Sequence, residues 1–268
     1  MSSPSLDTII NDLRQEQASL DDVMVVLAAE AWELPTPSPG WAIRDQIGHL
    51  AFFDRTATLA LEDPEAFVAH REEFYTAASR DSGAADEITL SEPRAMNPNE
   101  LLDYWRHWRS ALDHAARQAN PENRIEWYGP SMGIKSFLTA RLMECWAHGQ
   151  DICDTVGAHR RPTERLRHIA QLGYITRAWT YLNRRLDVPE GDVRVELSAP
   201  SGEIWAWGPE QGADGLVTGS ALDFCLVTSQ RRNVADTDMV VSGEIAVDWL
   251  NRAQLFAGPP SDPPKPAS

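Results

Sequence analysis

Apolar residues recur at spacings of three and four over the first part of the chain, which predicts amphipathic helices. A first helix is expected over residues 6–32 and ends there because the three prolines within residues 35–39 lack the N–H group that a helix needs. A second helix is expected over residues 42–61. The polar residues 62–95 are expected to form a loop.

Two further helices are marked by residues at their ends. Asn97 and Pro98 are typical of an N-cap followed by a proline in the first helical position, so a third helix is expected to begin there. A fourth helix is expected to begin near Ser136 and to end at Gly157, since glycine readily adopts the left-handed conformation that closes a helix. The pattern therefore predicts a four-helix bundle.

Beyond residue 160 the pattern changes from purely helical to mixed, so a domain boundary is expected there. The predicted elements are a helix at 163–185, hairpin strands at 193–197 and 203–207, a strand at 216–218, a helix at 220–232, a strand at 239–241 and a helix at 246–256. The prediction is a multi-domain α plus α+β protein, with a helical bundle in residues 1–160, a small α+β domain in 161–258 and a disordered proline-rich tail in 259–268.

Charge and composition exclude several classes of partner. The formal net charge of -16 would repel nucleic acids and anionic membranes. No apolar run approaches the roughly 20 residues of a membrane span, and the first residues lack a secretion signal, so a cytoplasmic protein is expected. Cys145, Cys153 and Cys225 form no CxxC pair and predict no disulfide framework. The oligomeric state stays open, with a homodimer among the alternatives.

Two side chains of the fourth helix are candidate metal ligands. Glu144 and His148 are four residues apart, which places a carboxylate above an imidazole on one helical face. Such pairs also occur on solvated or hydrogen-bonded faces. Here, however, the neighbours on that side are apolar, and a buried glutamate and histidine need partners.

His49 of the second helix complements this pair. It lies among apolar residues, where a lone histidine is commonly a hydrogen-bonded core residue. In a bundle, however, two imidazoles and a carboxylate from neighbouring helices make a three-ligand set that leaves coordination positions open. Zn²⁺ is the best match, and Fe²⁺, Ni²⁺ or Co²⁺ are compatible with the same ligands.

Two segments resemble a known family. Residues 37–50 read PSPGWAIRDQIGHL and residues 144–151 read ECWAHGQD. They resemble the DinB-like metal-binding bundles and, among these, the mycothiol-dependent maleylpyruvate isomerase family of actinobacteria. The resemblance implies that His49, Glu144 and His148 are zinc ligands and that mycothiol is the thiol cosubstrate. It also implies that the C-terminal part is a small α/β domain related to sterol carrier proteins.

The resemblance further implies a substrate-binding arginine in the second domain. Arg231 is the first candidate to hold a substrate carboxylate and Arg232 the second, since a guanidinium donates two parallel hydrogen bonds to a carboxylate. The alternative is that each cation interacts with the last carbonyls of a helix. Asp151, three residues after His148, is either a hydrogen-bond acceptor that orients the His148 ring or a surface residue.

Three functions compete at this stage. The resemblance implies a metal-dependent enzyme that activates a thiol for addition to an electrophilic small molecule, giving cis–trans isomerisation or S-transfer. One alternative is a noncatalytic protein with a structural metal and an apolar ligand. Another is a metal-dependent hydrolase, although no motif supplies the additional general base.

Overall fold

The computed structural model describes residues 4–79 and 83–267. The chain divides after Arg160 into two compact units. The first unit is helical, and the second combines short helices with a small mixed sheet. This confirms the predicted fold class.

The described part of the first unit contains six α-helices and one short β-hairpin. The helices are α1 Leu6–Met24, α2 Ile43–Glu62, α3 Pro64–Ala78, α4 Ala84–Arg94, α5 Pro98–Gln118 and α6 Ile134–Val156. Strands β1 (Arg124–Ile125) and β2 (Met132–Gly133) pair antiparallel between α5 and α6. Helices α1, α2, α5 and α6 correspond to the four predicted helices, and they pack together around a core that includes Ile47, Leu50 and Trp105.

The predicted end signals of the third and fourth helices are confirmed. The Asn97 side chain accepts hydrogen bonds from the backbone N–H groups of Asn99 and Glu100, which would otherwise lack helical partners. Gly157 has a φ of 66° and closes α6 in the left-handed conformation. Helix α6 therefore ends at the predicted glycine, and it begins at Ile134, two residues before the predicted start.

The first helix is shorter than predicted. Helix α1 ends at Met24, and Ala29–Glu33 form a separate 3₁₀ turn. Val25 and Val26 are exposed after the end of α1, and β-branched residues lose rotamer freedom in a helix without gaining contacts at such positions.

The prediction of a polar loop over residues 62–95 is wrong, because α3 and α4 occupy most of it. Asp63 caps α3 by accepting a hydrogen bond from the Ala66 N–H, but α3 buries little more than Phe67 and so lacks an apolar stripe. Helix α4 packs closely on α2 at Gly48. A Cβ atom at this position would lie 2.7 Å from Cβ of Pro93, so the glycine permits the contact.

The second unit builds a four-stranded sheet. Its elements are α7 Leu166–Ile175, α8 Arg177–Leu182, β3 Val193–Ser198, β4 Ile204–Trp207, β5 Gly215–Ser220, α9 Ala221–Thr228, β6 Val240–Ser242 and α10 Glu244–Leu250. The strand order is β4-β3-β5-β6, with β3 and β5 parallel and the other two pairs antiparallel. The predicted hairpin is therefore confirmed as β3 and β4.

Two predicted helices that precede α10 are interrupted or end early. The helix expected over 163–185 breaks at Thr176, whose hydroxyl donates to the Leu172 carbonyl and whose backbone leaves the helical conformation. The helix expected over 220–232 ends at Thr228, because Gln230 takes a left-handed φ of 60°. Both differences arise from backbone geometry that apolar spacing does not specify.

The chain beyond α10 has neither helix nor strand in its described part, which runs to residue 267. Helix α10 ends at Leu250, earlier than the predicted residue 256. In the tail, the Ser261 carbonyl accepts hydrogen bonds from the side chains of Arg184 and Gln230. Among residues 4–79 and 83–267, no helix combines the length and the apolar character needed to cross a membrane.

Candidate metal centre

Helices α2 and α6 bring three candidate ligands to one place. His49 lies on α2, and Glu144 and His148 lie one turn apart on α6. Oε2 of Glu144 is 3.6 Å from Nε2 of His49 and 3.1 Å from Nε2 of His148. Each of the three residues offers one ligand atom, and these atoms all lie within 4.8 Å of one another. This is the separation expected of groups that share a single ion.

The centre is enclosed but reachable from solvent. The side chains of His49 and Glu144 are 18% and 25% exposed, and that of His148 is 10% exposed. Burial and the nearby His148 ring lower the pKa of His49 to about 4. His49 is therefore neutral at physiological pH, which is the form that binds a metal.

Glu144 supplies the negative charge. Burial alone would raise the pKa of Glu144, but the facing side chains of His148 and His49 outweigh this effect and hold the pKa well below its ordinary value. The carboxylate is therefore ionised at neutral pH. An ionised carboxylate beside a neutral imidazole is a donor pair suited to a divalent cation.

Gln46 determines which nitrogen of His148 faces Glu144. The Thr36 hydroxyl donates to the Trp41 carbonyl, so its oxygen accepts from Nε2 of Gln46 at 2.8 Å. The amide oxygen of Gln46 consequently faces Nδ1 of His148, at 2.5 Å. Nδ1 must therefore carry the hydrogen, and Nε2 of the neutral ring presents a lone pair to Glu144.

This arrangement fits a bound cation. The Nε2 lone pair of His148 and the Glu144 carboxylate are both acceptors, yet they lie 3.1 Å apart. Two acceptors at this distance are favourable only with a proton or a cation between them. The donor set of two imidazoles and one carboxylate suits Zn²⁺ or a neighbouring transition metal and leaves coordination positions for other molecules.

Asp151 differs from both sequence-based alternatives. It is 3% exposed, so it is not a surface residue, and it accepts a hydrogen bond from the Ser38 hydroxyl at 3.2 Å. The ring hydrogen of His148 is bound by Gln46 instead. The sequence did contain a signal for Gln46, since a glutamine in the apolar stripe of α2 must find a hydrogen-bond partner inside the bundle.

Aromatic rings pack around the imidazoles. The indole of Trp41 stacks on His148 at 5.9 Å and 18°, and its centroid is 5.0 Å from that of His49. Its Nε1 donates to Asp86 of α4 at 3.0 Å. The Phe53 ring lies 4.6 Å from His49. These contacts restrict both rings to the orientations in which their Nε2 atoms approach Glu144.

Arg231 and Arg232 lie in the second unit, just beyond α9. The backbone N–H groups of both residues bond to the Leu226 carbonyl, which closes the helix. Nη1 of Arg231 donates to the Ser229 carbonyl at 2.7 Å, and Nη1 of Arg232 donates to the Arg231 carbonyl at 2.7 Å. The acceptor of Arg231 is thus the C-cap residue of α9, while that of Arg232 lies beyond the helix end. The substrate-binding role of either arginine stays a prediction.

Comparison with known proteins identifies the family. The sequence model of the mycothiol maleylpyruvate isomerase N-terminal domain matches residues 13–153. Two proteins of Mycobacterium tuberculosis strains, both described as uncharacterized, are 44% identical to this chain over 252 residues, which is 94% of this chain and 96% of each relative.

Solved structures share the fold. The crystal structure of the mycothiol-dependent maleylpyruvate isomerase has a TM-score of 0.58 at 19% identity, and that of a histidine-to-alanine mutant has 0.59 at 17%. Each comparison covers 90% of this chain and 96% of the other. The matched domain, which covers more than half of the chain, shows that the chain belongs to the mycothiol maleylpyruvate isomerase family.

Proposed function

We propose that the protein is a metal-dependent enzyme that activates a low-molecular-weight thiol, mycothiol, for addition to an electrophilic small molecule. The observation that carries this proposal is the convergence of His49, Glu144 and His148 within 4.8 Å at a partly exposed position. Membership of the mycothiol maleylpyruvate isomerase family supports the choice of thiol. Zn²⁺ is the metal that these three ligands match best.

The residues of the centre have separate tasks. A divalent metal, when bound, supplies the Lewis acidity that lowers the pKa of a coordinated thiol. Glu144 contributes the negative charge and His49 a neutral imidazole, while Gln46 keeps the Nε2 lone pair of His148 directed toward the other two ligands. The rings of Trp41 and Phe53 pack against the His49 imidazole.

The chain's own cysteines do not supply the nucleophile in this proposal. Cys145, Cys153 and Cys225 are free and buried. Burial raises the pKa of each of these thiols, so none forms a thiolate readily at neutral pH. This supports a thiol that enters as a cosubstrate. We place the reaction in the cytoplasm, where such thiols stay reduced.

The electrophile determines the outcome of thiol addition. With an alkene conjugated to a carbonyl, the sulfur forms a C–S bond and the π electrons move toward the carbonyl oxygen. Rotation about the resulting single bond and elimination then re-form the alkene and release the thiol, which gives cis–trans isomerisation. A stable adduct makes the protein an S-transferase instead. We propose that Arg231, or else Arg232, holds a carboxylate of the substrate.

Metal analysis and thiol binding test the proposal together. The purified protein should contain one equivalent of metal per chain, and the Co²⁺-substituted protein should develop a sulfur-to-metal absorption band with mycothiol and a weaker one with glutathione. Turnover of a conjugated alkene should require added thiol. A metal-free protein would refute the proposal, and so would turnover without thiol, which favours the hydrolase. Metal binding without any thiol response would favour the noncatalytic alternative.

A further inference from the structure

A buried carboxylate connects the four principal helices of the bundle. Asp54 of α2 accepts hydrogen bonds at Oδ1 from Nε and Nη2 of Arg141 on α6, at 3.3 Å and 3.0 Å. At Oδ2 it accepts from Gln17 of α1 and from Trp105 of α5, each at 3.2 Å. All four residues are at most 4% exposed. One side chain from each of α1, α2, α5 and α6 thus meets at this carboxylate.

This cluster lies beside the candidate metal centre on the same two helices. Asp54 is five residues after His49 on α2, which is about 7.5 Å along the axis, and Arg141 is three residues before Glu144 on α6, about 4.5 Å. The cross-helix contacts follow one antiparallel register in the order Gln46 with His148, His49 with Glu144, and Asp54 with Arg141.

Stability alone does not account for this ion pair. Removing two charges from water is costly, and a buried pair is often no more stabilising than apolar residues of similar volume. What a charged pair adds is direction, because a guanidinium and a carboxylate bond only in a narrow range of positions. Apolar contacts are non-directional and tolerate sliding. An axial shift of α2 by one residue, about 1.5 Å, would break the Asp54–Arg141 bonds.

We propose that the Asp54–Arg141 pair is a positioning device for the metal centre. It holds α2 and α6 in the register and rotation that bring His49 to Glu144 and His148. Gln17 of α1 and Trp105 of α5 orient the Asp54 carboxylate, so the register of α2 against α6 is also fixed relative to the other two helices. The inference rests on the proposed function for the role of the ligands, while the register itself is a property of the metal-free protein.

The test replaces both charges at once, so that neither is left buried without a partner. The variant Asp54→Leu with Arg141→Met should fold, with a free energy of unfolding close to that of the wild type in the absence of metal. Its metal affinity, measured by competition with a chelator, should fall by about 10–100-fold. Its Co²⁺ absorption spectrum should change, which reports altered ligand geometry. The single variant Arg141→Lys, which keeps a positive charge beside Asp54, should retain more of the metal affinity than the double variant.

A matched control comes from helices that carry no candidate ligand. Asp21 of α1 pairs with Arg109 and Arg106 of α5. The variant Asp21→Leu with Arg106→Met therefore removes an ion pair of the same bundle without touching α2 or α6. It keeps Arg109, which donates to the Gln17 carbonyl and lies 4.6 Å from the Trp105 ring, so the partners of Asp54 stay in place. It should leave the metal affinity and the Co²⁺ spectrum unchanged. Equal losses of affinity in both double variants would show general loosening of the bundle and would overturn the positioning role.

A readout without metal separates this inference from the proposed function. In the metal-free wild type, NMR should detect the hydrogen that Nδ1 of His148 donates to Gln46. This signal should disappear in the Asp54→Leu, Arg141→Met variant and persist in the control. Persistence in both variants refutes the inference. If the wild type binds no metal but the signals behave as described, the proposed function fails and the register role stands.

Discussion

Nδ1 of His148 lies 2.5 Å from Oε1 of Gln46, and this contact joins α6 to α2 immediately beside the candidate metal ligands. Because Gln46 is fully buried and its amide nitrogen is already bonded to Thr36, its oxygen has a fixed direction. The imidazole is thereby held in one tautomer, with Nε2 available as a ligand.

Removal of the Gln46 amide should weaken metal binding without removing a ligand. Gln46→Ala leaves the Nδ1 hydrogen of His148 without its acceptor and frees the ring to turn, so affinity should fall by about 10–100-fold. Chelator competition measures this. Gln150→Ala is the control, because Gln150 bonds to Asp154 on its own helix. Equal affinities for wild type and Gln46→Ala would contradict the prediction.

Each of the three ligand variants, His49→Ala, Glu144→Ala and His148→Ala, should lose most of the bound metal. Metal analysis of the purified proteins checks this. The exposed histidines of α5 provide matched controls in His107→Ala and His114→Ala, which should keep it. With free metal at a hundredfold excess over Kd, the wild type should gain about 2.7 kcal/mol in free energy of unfolding, a gain absent from the ligand variants. Unchanged metal content in all three variants would refute the site.

The lowered pKa of His49 predicts a pH-dependent stability of the metal-free protein. Between about pH 4 and 6.5 the unfolded chain protonates His49 but the folded protein does not, so stability increases with pH in this window. Acidification through it should cost up to about 3 kcal/mol. Urea unfolding in chelator at pH 7 and 4.5 measures the loss, which should shrink in His49→Gln and persist in His107→Gln. Identical pH profiles for wild type and His49→Gln would contradict the prediction.

The buried cysteines should be unreactive in the folded protein. Because burial raises the pKa of their thiols, an aromatic disulfide reagent should label Cys145, Cys153 and Cys225 slowly in buffer and rapidly in denaturant. Individual Cys→Ala variants should retain thiol-dependent turnover within a few fold. Loss of turnover in a variant that still folds and binds metal would assign the nucleophile to that cysteine instead of the cosubstrate.

Substitution of Arg231 should lower substrate turnover and leave metal binding unchanged. Arg231→Lys keeps the charge but loses the two-point geometry, so turnover of a carboxylate-bearing substrate should fall. Arg231→Ala should lose more, on the order of 2–4 kcal/mol in transition-state stabilisation. Metal content should match the wild type. If only Arg232 variants lose turnover, the role belongs to Arg232, and normal turnover in both sets would leave these arginines as helix-end cations.

The sequence by itself determined the features that depend on neighbours along the chain. Apolar spacing located α2, α5 and α6 within a few residues, and Asn97 and Gly157 marked helix ends through local hydrogen bonding and local φ. The four-residue spacing of Glu144 and His148 placed both on one face of α6 by helical geometry alone. Helices α3 and α4 were not predicted, because they bury too few residues to produce a periodic apolar pattern.

Only the tertiary structure decided which side chains meet across helices. The contacts of His49 with Glu144, of Gln46 with His148 and of Asp54 with Arg141 depend on the rotation and axial register of α2 against α6. The hydrophobic pattern of each helix identifies its buried face but leaves that register open, since apolar contacts are non-directional. Directional hydrogen bonds between buried polar groups select one register, and they exist only once the helices have packed.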